Sequence, residues 1–150
     1  MVVMLLFPPK DLLTINFEKC TTNIIASPKL GAGFVEYLIE MESGGKNAKG
    51  FGGNGIETFV FVREGALDVT VNGTKYKLEQ GGYVYCPPSL DMLLENNSNL
   101  NAKLILYKQR YIPAEDISKP WVVCDNVNNL QASIYDDMED VTIIDLLPID

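Results

Sequence analysis

The 150-residue chain contains no histidine. Histidine is the commonest side-chain ligand of catalytic transition metals and the one residue whose ordinary titration lies near neutrality. Its absence excludes Ser-His-Asp and Cys-His nucleophilic machinery and every histidine-ligated metal centre. Cysteine is scarce as well, and Cys20, Cys86 and Cys124 form no CxxC pair. An odd number of scattered thiols, with no signal sequence, predicts reduced cysteines in a cytoplasmic protein. Basic residues are few, 12 Lys and Arg against 20 Asp and Glu, for a net charge of −8. A phosphate surface is met by a basic patch, so neither nucleic acid nor membrane is expected as a partner. Long apolar runs are missing too. Met1–Phe7 is far too short to span a bilayer, has no basic flank or small-residue cleavage site, and stops at Pro8-Pro9. It reads as a strand.

What remains is an ordinary globular composition, 47% hydrophobic and 21% charged, enough for one good core. The charge is uneven: no basic residue follows Lys119, while seven acidic residues do, which predicts a solvated acidic face. The apolar period is that of β-structure. Phe34–Met41, Thr58–Val62, Leu67–Val71, Tyr76–Leu78, Tyr83–Cys86 and Lys103–Gln109 read as strands. Asn72-Gly73 marks a two-residue hairpin, Gly81-Gly82 another turn, and Pro87-Pro88 a stop. Asn126–Ala132 has room for one helical turn, and Asp140–Pro148 carries a strong apolar strand. Short strands at this spacing point to a sandwich or a barrel. The glycine-rich stretch Gly44–Gly55 fits neither GxGxxG nor GxxxxGK[ST], so it is expected to be a mobile loop at the barrel mouth.

Two spacings narrow the fold. Counting back from Gly65 through a pattern G, H-x-H, E, G places the glutamate position on Thr58. The histidine positions then fall on Gly52 and Asn54, or, with Gly45 leading, on Phe51 and Gly53. A second pattern runs through Gly81, Pro87, Ser89, Met92 and Asn96, with Met92 at its histidine. These are the two motifs of the cupins, and the chain resembles that superfamily with every ligand position replaced. The fold implied is all-β: a cupin-type jelly-roll barrel, a double-stranded β-helix with little helix. Glycine supplies no ligand, threonine is a poor neutral one, and a lone thioether prefers soft copper, so no metal is expected in this barrel. Glu57, next to the ligand position, is turned to the opposite face by strand alternation.

A closer resemblance rests on Ser27–Met41 (SPKLGAGFVEYLIEM), Gly50–Gly65 (GFGGNGIETFVFVREG), Gly81–Pro88 (GGYVYCPP) and Leu106–Pro113 (LYKQRYIP). These runs are similar to the N-terminal half of the (S)-ureidoglycine aminohydrolase family, two-cupin enzymes of allantoin catabolism. The resemblance implies a degenerate first cupin, with manganese and the catalytic groups in a second barrel. Asp140–Pro148 is similar to the segment leading into that second barrel, so the chain is expected to stop where the catalytic half would begin. The resulting division is an N-terminal segment 1–32 packing on the barrel, a degenerate cupin core 33–112, and a C-terminal segment 113–150. No catalytic residue of the family has a counterpart here, and the chain alone is expected to be inactive and without cofactor. Its expected partners are a second copy of itself or a second cupin domain. A free-standing binding module is the competing expectation, with a small molecule held in a barrel pocket lined by Thr58, Tyr83, Tyr85, Met92 and Tyr107. Cys86 is expected to be a buried apolar filler rather than a reactive thiol.

Overall fold

The computed structural model describes residues 16–113 and 119–148. Among these there is no α-helix, only two single 3-10 turns, at Pro28–Leu30 and Val127–Asn129. No described helix is long and apolar enough to cross a membrane. The expected strand at Met1–Phe7 lies outside the described residues.

Ten strands form one wrapped sheet: β1 (Phe17–Ala26), β2 (Phe34–Asn47), β3 (Phe51–Gly52), β4 (Ile56–Glu64), β5 (Leu67–Val71), β6 (Thr74–Leu78), β7 (Gly82–Cys86), β8 (Asp91–Glu95), β9 (Ala102–Arg110) and β10 (Val123–Asn126). Their order is β10-β7-β4-β9-β2-β8-β5-β6, with β1 added on β2 and β3 on β8. All pairings are antiparallel. The fold is the cupin-type jelly-roll barrel that the resemblance implied. A two-stranded ribbon follows, β11 (Ser133–Tyr135) paired, among the described residues, only with β12 (Met138–Ile143).

Period-two alternation decides what faces inward. Val35, Tyr37, Ile39 and Met41 of β2, Val60 and Val62 of β4, Val69 and Val71 of β5, Leu104 and Leu106 of β9, and Val84 and Cys86 of β7 are all buried in one core. Each large aliphatic buried in this way contributes about 1.5–3 kcal/mol. Two buried amides fasten the core to its loops. Asn47 donates Nδ2 to Lys49 O and Met92 O and accepts from Leu94 N, and Asn96 donates Nδ2 to Met41 O and Leu100 O.

The glycine-rich stretch is more ordered than its composition suggests. Gly44 to Asn47 continue β2, Phe51–Gly52 is β3, and Gly45, Asn47 and Phe51 are buried. Gly44 N donates to Asn96 O and Asn96 N to Gly45 O, both at 2.8 Å. Here the glycines serve close approach rather than mobility. A Cβ on Gly45 would stand 2.5 Å from Met41 Cγ and 2.9 Å from Lys19 O, so only glycine lets the chain pass.

Candidate cavity at the barrel mouth

The inner face near the mouth brings together Thr58 from β4, Lys108 from β9 and Phe51 from β3. Thr58 and Lys108 are cross-strand partners, so their side chains share a face. Both are almost wholly buried. The Lys108 ammonium stands 5.8 Å from the centroid of the Phe51 ring, a cation–π distance. Thr58 Oγ1 has no hydrogen-bond partner among the described residues. Behind it Cys86, partner of Thr58 across β7, has its thiol pushed up to about 11 by burial, which the neighbouring hydroxyl only partly offsets. That thiol is buried in the core, as expected.

Lys108 and Phe51 open onto a cavity of about 460 Å³ whose lining also includes Gly52, Asn54, Ser89 and Asp91. A Cβ on Gly52 would lie 3.4 Å from Thr58 Oγ1, so the glycine that takes a ligand position keeps the hydroxyl from being covered. Met92 also faces inward, opposite Phe51, but as a member of the apolar core.

The donor set does not fit a hard divalent cation. A neutral hydroxyl and a thioether are poor ligands for manganese. Among the described residues no group of three or more His, Cys, Asp and Glu side chains could hold a metal ion.

The three tyrosines expected in the pocket are not there. Tyr83, Tyr85 and Tyr107 alternate with the interior residues Val84, Cys86, Leu106 and Lys108, so they lie on the outer face of the same sheet. There Tyr83 stacks on Phe59 at 5.6 Å, and Tyr107 lies 5.7 Å from Phe34 and 6.4 Å from Phe59. Tyr85 donates its hydroxyl to Glu57 at 2.6 Å and Tyr107 donates to Glu36 at 2.9 Å. Gln109 Nε2 also donates to Glu57, at 2.7 Å. Glu57 is thus turned away from the ligand position, and it holds an outer-face network. None of the five expected pocket residues is in the lining of the mouth cavity; Thr58, Tyr85 and Tyr107 instead line a second cavity of about 360 Å³, with Phe34, Glu57 and Gln109, while Lys108 was missed. The signal for it was present: Ala102, Leu104 and Leu106 set the inward phase of β9, and residue 108 is the next in step.

Comparison with known proteins agrees with this frame. The cupin domain family matches residues 38–107. (S)-Ureidoglycine aminohydrolase of Escherichia coli (strain K12) is 42% identical over 133 residues, 89% of this chain and 51% of that protein. The crystal structure of protein Ylba from Escherichia coli superposes with a TM-score of 0.80 at 39% identity, over 90% of this chain and 52% of the other. A putative glyoxylate-induced protein from Pseudomonas aeruginosa gives 0.74 at 24% identity, over 83% and 47%, a likeness of fold. The chain therefore spans about half the length of the relatives it matches. Its residues 38–107 are a cupin domain, and over most of its length the chain is similar to one half of an (S)-ureidoglycine aminohydrolase.

Proposed function

We propose that this chain is a metal-free, non-catalytic cupin domain whose work is to pack against a second cupin unit and so build an oligomer. The observation that carries the reading is the β11–β12 ribbon. Among the described residues its two strands pair only with each other, and every residue of β11 is exposed. Ile134, Tyr135, Met138 and Val141 are 40–59% exposed, and Trp121, Ile144 and Leu147 add to the same C-terminal segment. An isolated two-stranded ribbon is marginal in water, and apolar surface of this kind marks an interface. The acidic charge of the segment keeps it soluble until that interface forms.

By likeness to its relative, the assembly belongs to ureide breakdown in the allantoin pathway, with release of ammonia. Manganese and the reacting groups belong to the other barrel. A second copy of this chain is the simplest stand-in for that barrel, since a two-fold pair buries the same surface on both partners. The setting is cytoplasmic, consistent with unpaired cysteines.

Sedimentation velocity of the purified chain over a broad concentration range tests the packing. A dimer that Ile134→Lys and Met138→Lys convert to monomer is expected. A wild-type monomer at every concentration, or variants that associate equally well, would overturn it. Calorimetric titration with Mn²⁺ and an ammonia-release assay test the other half of the reading. Stoichiometric manganese binding, or ammonia release by this chain alone, would refute it.

A further inference from the structure

Two Asn-Gly pairs close two-residue turns in this chain, and the two turns have nearly the same backbone. Asn72 and Gly73 join β5 to β6 at φ +48° and +77°, with Val71 and Thr74 paired across the turn. Asn54 and Gly55 do the same at the barrel mouth at φ +50° and +83°, with Gly53 paired to Ile56. Both are left-handed turns of the kind that Asn-Gly favours, and both asparagines are exposed. What differs is the hold on the glycine. Gly55 N donates to Pro88 O at 3.1 Å and Gly55 O accepts from Tyr111 N at 2.8 Å, so the mouth turn is tied to two other parts of the chain. Among the described residues no such bond reaches Gly73, and nothing lies within 4 Å of where its Cβ would be. The strand that follows, β6, pairs among the described residues with β5 alone and leaves Thr74, Lys75 and Lys77 exposed.

We infer that Asn72 is a site of spontaneous deamidation, and that Asn54, in the same dipeptide and the same turn, is protected by its surroundings. The Gly73 amide nitrogen gives up its proton and attacks Asn72 Cγ. The new N–C bond closes a five-membered succinimide, while the side-chain nitrogen takes up a proton and leaves as ammonia. Water then adds to either ring carbonyl. Opening of the ring gives aspartate or, with the main chain routed through the side-chain carbon, isoaspartate. Nothing is oxidised or reduced, and water is the sole co-reactant. Glycine makes the attack feasible, since no Cβ crowds its nitrogen. A left-handed turn points that nitrogen away from the side chain, so the turn must first open by rotation about the asparagine Cα–C bond. At the tip of an edge hairpin little is broken by opening, whereas the mouth turn must first leave Pro88 and Tyr111. The isoaspartyl product lengthens the main chain of a tight turn and so undoes the Val71–Thr74 register.

Trypsin separates the two sites, because Asn54 is the one asparagine of Gly50–Arg63 and Asn72 the one asparagine of Glu64–Lys75. The purified chain is held at pH 8, folded in one sample and unfolded in guanidinium chloride in another. Mass spectrometry follows both peptides for the gain of one mass unit, and electron-transfer fragmentation tells isoaspartate from aspartate. In the unfolded sample the two sites should convert at similar rates. In the folded sample Glu64–Lys75 should gain isoaspartate while Gly50–Arg63 lags about ten- to a hundredfold, for two further hydrogen bonds to be opened. Asn72→Gly keeps a sequence that suits the hairpin and should abolish most of the gain in the folded chain. Equal conversion of the two peptides in the folded chain, faster conversion at Asn54, or no conversion at Asn72 after many half-lives of the unfolded reaction would overturn the inference. So would an unfolded sample that shows the same preference as the folded one, or a folded Asn72→Gly chain that converts as fast as wild type.

Discussion

Tyr85 and Glu57, neighbours in adjacent strands, share a hydrogen bond of 2.6 Å on the outer face of the barrel. Burial first, and then the Glu57 charge, push the tyrosine hydroxyl well above its ordinary value near 10. A group whose folded pKa is raised contributes its stability below the unfolded pKa and loses it as pH climbs toward the folded one. Tyr37, raised to about 12 by burial, and Cys86, raised to about 11 mainly by burial, act in the same direction.

Urea unfolding should therefore be insensitive to these groups at pH 7 and weaken steadily from about pH 9 upward, where unfolded thiols and then phenols ionise. Tyr85→Phe is expected to cost about 1–2 kcal/mol at pH 7, for a hydrogen bond to a carboxylate. The same variant should flatten the alkaline slope. An alkaline slope unchanged by the substitution would show that Tyr85 does not carry its share.

Thr58 is the opposite case, a buried hydroxyl that among the described residues has the weakly bonding Cys86 thiol beside it and no other polar partner. Valine keeps the branched shape and removes the orphaned oxygen, so Thr58→Val should raise stability by about 1 kcal/mol. The urea midpoint should rise with no change in slope. A fall of similar size would mean that the hydroxyl has a bonded partner.

Asn96 is buried completely and makes four hydrogen bonds, two of which a carboxylate cannot reproduce. Its amide donates to Met41 O at 3.0 Å and Leu100 O at 2.8 Å, while Oδ1 accepts from Ser98 N and Ser98 Oγ. Asn96→Asp sets a carboxylate against two carbonyls, and about 3–5 kcal/mol should be lost at pH 7. Much of that loss should return at pH 4, as the acid regains its proton. Equal destabilisation at both pH values would refute the electrostatic account.

The scaffold was legible because glycine, proline and amide positions are fixed by backbone geometry, which spacing records. Gly65, Gly81, Pro87 and Asn96 all stand at turns or buried crossings. The site was legible only in part. Thr58 could be placed by counting, but a count of ligand positions is blind to a residue that belongs to neither motif, and Lys108 is such a residue. The tyrosines were misplaced because residue type was weighed above strand phase: β7 points Val84 and Cys86 inward, and Tyr83 and Tyr85 must go out. β8 escaped because Met92-Leu93-Leu94 is apolar on both faces, with Leu93 41% exposed. β12 ends at Ile143, so the apolar run to Pro148 gives a shorter strand than its composition implies.

Gly65 offers the sharpest test of that geometric reading. It turns the chain from β4 into β5 at φ +82°, and a Cβ there would sit 2.8 Å from Asn101 O and 3.1 Å from Ala102 Cα. Both obstacles are backbone at the start of β9, which is tied to β2 and β4 and cannot yield without breaking pairs. Gly73 has nearly the same conformation, φ +77°, but nothing lies within 4 Å of its added Cβ. Gly73→Ala should therefore cost only the left-handed strain, about 1–2 kcal/mol. Gly65→Ala should cost that plus the overlap, about 2–5 kcal/mol in all. The pair, measured by urea unfolding in the same buffer, separates conformation from space. Equal losses would mean that β9 gives way at Asn101, and the close crossing of the two strands would then not be what holds glycine at position 65.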